Sequence, residues 1–199
     1  MAERILLACA ALLLALVVGL ALFWHPEPPE RVLPKAAGGG GGDFTLQSAG
    51  GTVSLSDFKG KVVLLYFGYT YCPDICPTSL VATAAGLKQL SAEEQARVAM
   101  IFISVDPERD TPARLKEYVE FFHPNIVGVT GSAESLADIA RRYGAFYAKQ
   151  SVATAGGGYV VDHSADTYVI GTDGKLVGKI AHATPPEQVA GEIRKHLQK

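Results

Sequence analysis

Sulfur is scarce in this chain: 199 residues carry three cysteines and two methionines. Three cysteines do not make a disulfide scaffold. They also fall short of the four thiolates of an iron–sulfur cluster held by one chain, and a structural zinc wants four protein ligands. Excess positive charge is missing too. Lys and Arg number 18 against 20 Asp and Glu, the formal net charge is −2 and the pI is about 6.2. That leaves no electrostatic footprint for nucleic acid. There is no internal repeat. No Arg-rich, acid-poor amphipathic leader opens the chain, which argues against a mitochondrial transit peptide.

A long hydrophobic run is present. Ile5 to Trp24 contains no charge and is rich in Leu, Ala and Val, which lifts the mean hydropathy to +0.18. At about 1.5 Å per residue it matches a hydrocarbon core roughly 30 Å thick. His25-Pro26-Glu27-Pro28-Pro29 follows it, not an Ala-x-Ala cleavage pattern, so an uncleaved anchor over 1–24 is favoured over a signal peptide. Leu6-Leu7-Ala8-Cys9 resembles a lipoprotein box, but the apolar stretch before it is too short; Cys9 reads as a lipid-buried thiol. Arg4 lies before the span, so the positive-inside tendency exports the rest: a bacterial inner-membrane protein with its soluble part in the periplasm. Residues 25–42 form a linker, Pro-rich and then ending in Gly38 to Gly42, semi-rigid followed by flexible.

The domain is expected over 43–199. A hairpin is predicted around Ala49-Gly50-Gly51, and buried strands over Lys61–Gly68 and Val98–Val105. Helices are predicted over Pro77–Leu90, from Pro112 (capped by Thr111) to about Phe122, from Ser132 to Tyr143 with Gly144 as stop, and over Pro186–Gln198. A short strand covers Ile126–Thr130. Ala153–Gly158 reads as a loose loop. A hairpin joins Thr167–Ile170 to Leu176–Ile180 around Asp173-Gly174. Strands alternating with helices and closing on an antiparallel hairpin give a thioredoxin-like α/β domain, with the N-terminal hairpin and the segment around Arg109 to Thr130 as additions to the minimal fold.

The chemistry concentrates in Tyr69-Thr70-Tyr71-Cys72-Pro73-Asp74-Ile75-Cys76-Pro77, at a strand-to-helix junction. A helix start stabilises thiolate, which is both nucleophile and metal ligand. The C-x-x-x-C pair either closes as a redox-active disulfide or clamps a soft ion. Thiolates select Cu(I), zinc or iron–sulfur clusters, and copper, content with two or three ligands, best matches the count. A third ligand should be histidine. His25 lies in the linker, His196 is expected on the surface, His123 helps end a helix, and His182 follows a strand end. His163, in Tyr159-Val160-Val161-Asp162-His163-Ser164, stands out: in this fold the loop entering the hairpin strand lies beside the cysteines. Asp162, its neighbour on an extended chain, points the other way and is not expected to hold the imidazole. Asp74 is read as a turn residue. Tyr66, Tyr69 and Tyr71 are read as packing residues able to shield the site. Asp106 to Asp110 is read as a solvated loop, with Asp106 and Arg109 able to support the cysteine loop through a salt bridge.

The segments Gly42-Asp43-Phe44-Thr45-Leu46, Phe67 to Pro77, Val105 to Thr111 and Val161 to Ser164 resemble the Sco/SenC family, membrane-tethered copper proteins of respiratory-oxidase assembly. The resemblance implies a thioredoxin-like fold and copper, Cu(I) or Cu(II), held by Cys72, Cys76 and His163. It implies delivery to the CuA site of cytochrome c oxidase subunit II, with a linked thiol–disulfide activity. A periplasmic thiol reductant or another copper chaperone would serve it. The alternative from another class is an enzyme: a membrane-anchored thiol–disulfide reductase or redox sensor without obligatory metal, with Cys72 attacking and Cys76 resolving. A peroxidase is disfavoured, because Thr70 stands two residues before Cys72 where peroxiredoxins place Thr three before.

Overall fold

The structure is a computed structural model that describes residues 2–23, 40–151 and 158–198. These fall into two units, treated separately. The first is the helix α1, Ala2–Phe23. Helix is the secondary structure an anchor needs, but several α1 side chains lie outside the described residues. Among the described residues, no helix is long and apolar enough to cross a membrane. The expected membrane span is therefore not shown. Most of the expected linker, 25–39, also lies outside the described residues, as do 152–157 of the Gly-rich loop.

The second unit is built on a five-stranded sheet in the order β5-β4-β3-β8-β9. The strands β3 (Val62–Gly68), β4 (Val98–Ser104) and β5 (Ile126–Val129) run parallel. The strands β8 (Thr167–Ile170) and β9 (Leu176–Ile180) close the other edge antiparallel. Every residue of β3 and β4 is buried, as a sheet covered on both faces requires. Their continuous apolar runs are what the covering helices need. Of these, α2 (Ile75–Lys88) packs on α6 (Pro186–Leu197), and α4 (Pro112–Glu120) packs on β5. The hairpin β1 (Thr45–Ser48) to β2 (Gly51–Ser54) is tied to the end of β5 by paired main-chain bonds between Gln47 and Thr130, 2.8 and 2.9 Å.

Local chemistry explains the helix ends. Thr111 accepts from the Arg114 amide, and Pro112 supplies a first-turn residue with no amide to satisfy. The helix α5, Ala133–Tyr143, begins at Ser132 and ends at Gly144, whose φ of 66° is the left-handed stop a glycine adopts without strain. Three features are additions to the sequence reading, the smallest a 3-10 turn at Leu55–Phe58. A short helix α3, Ala92–Ala96, is closed by a capping box between Ser91 and Glu94. A separate two-stranded ribbon pairs β6 (Tyr147–Ser151) with β7 (Tyr159–His163). His163 is thus the last residue of a strand and not part of a loop. The helix expected from Pro77 starts two residues earlier, at Ile75, which draws Cys76 into its first turn.

Candidate metal centre

β3 delivers the chain to the site at Gly68. A Cβ there would meet Cys76 Sγ at 2.6 Å, Phe102 at 2.9 Å and Tyr66 at 3.0 Å, so only glycine lets the second cysteine lie against the strand end. The loop after it is fixed from beneath by Asp110. This buried carboxylate accepts from the Thr70 amide (2.9 Å), the Thr70 hydroxyl (2.6 Å) and the Ser104 hydroxyl (2.7 Å). Cys72 donates its amide to the Tyr69 carbonyl at 3.2 Å. Asp74, read as a turn residue, occupies the N-cap position of α2, is exposed, and accepts from the Thr78 hydroxyl at 3.3 Å.

Cys72 and Cys76 are both free thiols and both buried. The Cys76 amide, in the first turn of α2, donates to Cys72 Sγ at 3.5 Å. Cys76 Sγ lies 3.2 Å from His163 Nε2. The three ligand atoms of Cys72, Cys76 and His163 all lie within 4.8 Å of one another. Spacings of this size suit donors that share one ion at bond lengths of about 2.0–2.3 Å. The imidazole is oriented by its other nitrogen: Nδ1 stands 2.9 Å from the Ser164 carbonyl. A carbonyl only accepts, so Nδ1 carries a proton, which leaves Nε2 as the ring nitrogen that faces the sulfurs and could ligate a metal. Tyr66 and Tyr69 meet the ring edge-on, at centroid distances of 6.1 and 5.8 Å.

The sulfurs differ electrostatically. The Cys76 thiol donating to Cys72 is the largest influence on Cys72; helped by His163 and the amides of Asp74 and Cys76, it outweighs burial and pulls the Cys72 thiol down to about 4. Burial in the apolar interior, then the hydrogen bond to Cys72 and its adjacent charge, pushes the Cys76 thiol up. The resting reduced pair is an outer thiolate beside an inner thiol.

The other histidines are elsewhere. His123 Nδ1 accepts from the Asn125 amide at 3.1 Å, and His182 Nδ1 pairs with Ser79 at 2.8 Å. His196 is buried, contrary to the surface position expected, with Nε2 at 3.0 Å from Glu192; the spacing Val189–Ile193–His196 puts it on the inner face of α6. His25 lies outside the described residues. The Asp106–Asp110 turn is not a solvated loop: Asp106 and Asp110 are wholly buried, and Asp106 pairs with Arg109. Tyr71 is half exposed, with the guanidinium of Arg109 4.8 Å and that of Arg114 4.3 Å from its ring centroid. Sequence reasoning missed Asp110 and Ser164. No local pattern marks either, since each acts through a main-chain or tertiary contact.

The family model described as SCO1/SenC matches residues 34–198. The chain belongs to the SCO1/SenC family. Among relatives of this SCO1/SenC protein, the mitochondrial SCO2 homolog of Bos taurus is 41% identical over 165 residues, covering 82% of this chain and 62% of that one. The chain thus spans less than two thirds of that relative's length. The copper-bound structure of Bradyrhizobium japonicum ScoI is 38% identical with a TM-score of 0.70, over 79% of this chain and 99% of that one. A structure of BsSco, a member of the Sco family of cytochrome c oxidase assembly proteins in which a disulfide switch was identified, is 28% identical with a TM-score of 0.61, over 81% of this chain and 95% of that one. The thioredoxin-like α/β fold of this SCO1/SenC protein is that of its relatives.

Proposed function

We propose that the domain holds copper through Cys72, Cys76 and His163 and hands it to the CuA site of cytochrome c oxidase subunit II. The observation that carries this reading is the convergence of two sulfurs and one imidazole nitrogen within 4.8 Å, Cys76 and His163 standing 87 residues apart in sequence. Two thiolates and an imidazole suit copper, and a three-donor site leaves the ion open to an incoming thiolate. Transfer then proceeds by ligand exchange, donor and acceptor sulfurs sharing the ion. The copper in the Bradyrhizobium relative supports the choice of metal.

The site also supports a linked thiol–disulfide activity, with Cys72 as attacking thiolate and Cys76 as resolving thiol. The opposed pKa shifts favour that division of labour, and without metal it is the competing reading. A periplasmic thiol reductant or a second copper chaperone would keep the pair reduced. We further assign residues 1–24 as an uncleaved anchor in a bacterial inner membrane, 25–42 as the tether and 43–199 as the periplasmic domain. The charge-free run Ile5–Trp24 supports this arrangement.

One comparison tests the proposal. His163→Ala should lose copper while retaining disulfide-reductase turnover, and the Cys72–Cys76 disulfide form should bind far less copper than the reduced form. Unchanged copper stoichiometry in His163→Ala would remove the imidazole from the site and favour plain dithiol chemistry.

A further inference from the structure

The ribbon β6–β7 joins no ladder of the five-stranded sheet among the described residues; its strands pair with each other. Its station beside the cysteine loop is therefore set by contacts outside any ladder. Alternate residues of a strand share a face, so Tyr159, Val161 and His163 form one row on β7. The Val161 amide donates to Tyr69 Oη at 3.2 Å. At the far end of the strand from His163, the Tyr159 hydroxyl donates to Asp106 at 2.7 Å, with a Glu108 oxygen 3.3 Å away. The Tyr159 carbonyl accepts from Arg109 Nη1 at 3.1 Å.

One guanidinium joins these pieces. Arg109 Nε pairs with the wholly buried Asp106, and the planar cation lies 3.8 Å from the Tyr159 ring centroid, 4.8 Å from that of Tyr71 and 5.5 Å from that of Tyr69. Tyr69 and Tyr71 flank Thr70 in the loop that leads into Cys72. Arg109 Nη2 is buried with no hydrogen-bond partner, so that edge of the cation is enclosed by its neighbours, with no bond of its own. Lysine has no planar fork with which to bond Asp106 and the Tyr159 carbonyl together while stacking on a ring.

We propose that Arg109 is a positioning residue for the third ligand: with Asp106 and Tyr159 it latches the ribbon to the cysteine loop and so keeps His163 Nε2 at the sulfur pair. The inference rests on the copper reading of the site and adds the device that sets its nitrogen donor.

The test uses the full chain loaded with Cu(II), in Arg109→Gln, Arg109→Lys and Tyr159→Phe, with His163→Ala as reference. Pulsed electron paramagnetic resonance reads the imidazole nitrogen on copper, competition titration reads affinity, and hydrogen exchange reads the Val161 and His163 amides. Arg109→Gln should lose the imidazole signal and about tenfold to a hundredfold in affinity, approaching His163→Ala. Tyr159→Phe should move all three readouts the same way by less, and Arg109→Lys should not restore the signal. A lowered melting temperature in Arg109→Gln with the imidazole signal and affinity intact would mean a merely structural role and overturn the latch. Full restoration by Arg109→Lys overturns it as well. If Arg109→Gln does not fold, Tyr159→Phe decides: unchanged signal, affinity and exchange reject the proposal. Failure of the copper reading looks different, because His163→Ala would then itself keep the signal.

Discussion

At the scale of single residues the site is asymmetric, and the asymmetry is measurable. With its thiol pulled down to about 4, Cys72 should be alkylated by iodoacetamide at a rate that holds nearly level from pH 8 to pH 5 and falls off through about pH 4. In Cys76→Ala, which removes the donor that stabilises it most, the midpoint should move up toward the ordinary thiol value of about 8.5. A wild-type midpoint already near that value would contradict the assignment. The sign of the linked stability follows. Between about pH 4 and the unfolded thiol value the folded state holds one proton fewer at Cys72, so stability rises with pH across this window. The contribution is fully present above the unfolded value and is lost as pH falls through about 4. Urea midpoints of the reduced protein should therefore climb with pH more steeply than those of Cys72→Ser. Of this scale, the sequence exposed the candidate ligands but few of their supports. Cys72, Cys76 and His163 stand out by type and spacing. Asp110 and Ser164 do not, because their roles depend on which distant loop the fold lays beside them; Arg109 reads in the sequence only as a salt-bridge partner of Asp106, with no sign of its bond to Tyr159. His196 was legible and misread: its place in the Val189–Ile193 row marks it as inward-facing.

At the scale of elements, β3 and α2 together shape the sulfur pair, and Gly68 is where they touch. Gly68→Ala should destabilise the reduced apo-protein by about 1–3 kcal/mol through overpacking, read from urea unfolding, and should weaken copper binding because Cys76 Sγ must move. Wild-type affinity in that variant would show that the sulfur has room to yield. The elements were mostly readable where periodicity and caps agree. The strands β3 and β4 follow from unbroken apolar runs, α4 from Thr111-Pro112, and α5 from Ser132 and Gly144. The short helix α3 had its signal, Ser91 followed by Glu94, but no apolar stripe to draw attention to it: none of its residues is buried. The ribbon was hidden for a similar reason. Lys149, Gln150 and Ser151 are exposed, so β6 has no alternation of polar and apolar residues that would betray a strand.

At the scale of the molecule, the proposal joins a tethered domain to a membrane-bound acceptor. Deleting residues 2–23 should release the protein into the soluble fraction on cell fractionation, while its copper stoichiometry stays as in the full chain. Soluble behaviour of the intact chain after the same fractionation would remove the anchor from the proposal. The sulfurs, the imidazole and every support named above lie between Gly68 and Ser164. Of the proposed donors, Cys72 stands in the loop after β3, Cys76 on α2, and His163 on a ribbon that shares no ladder with the sheet among the described residues. On the copper reading proposed above, cargo bound across that divide would act as a crosslink. Loading should slow amide exchange along β7 and leave β3 and β4 as they were, so an acceptor that extracts the ion also unfastens the ribbon, and an emptied carrier is distinguishable from a full one by its stiffness.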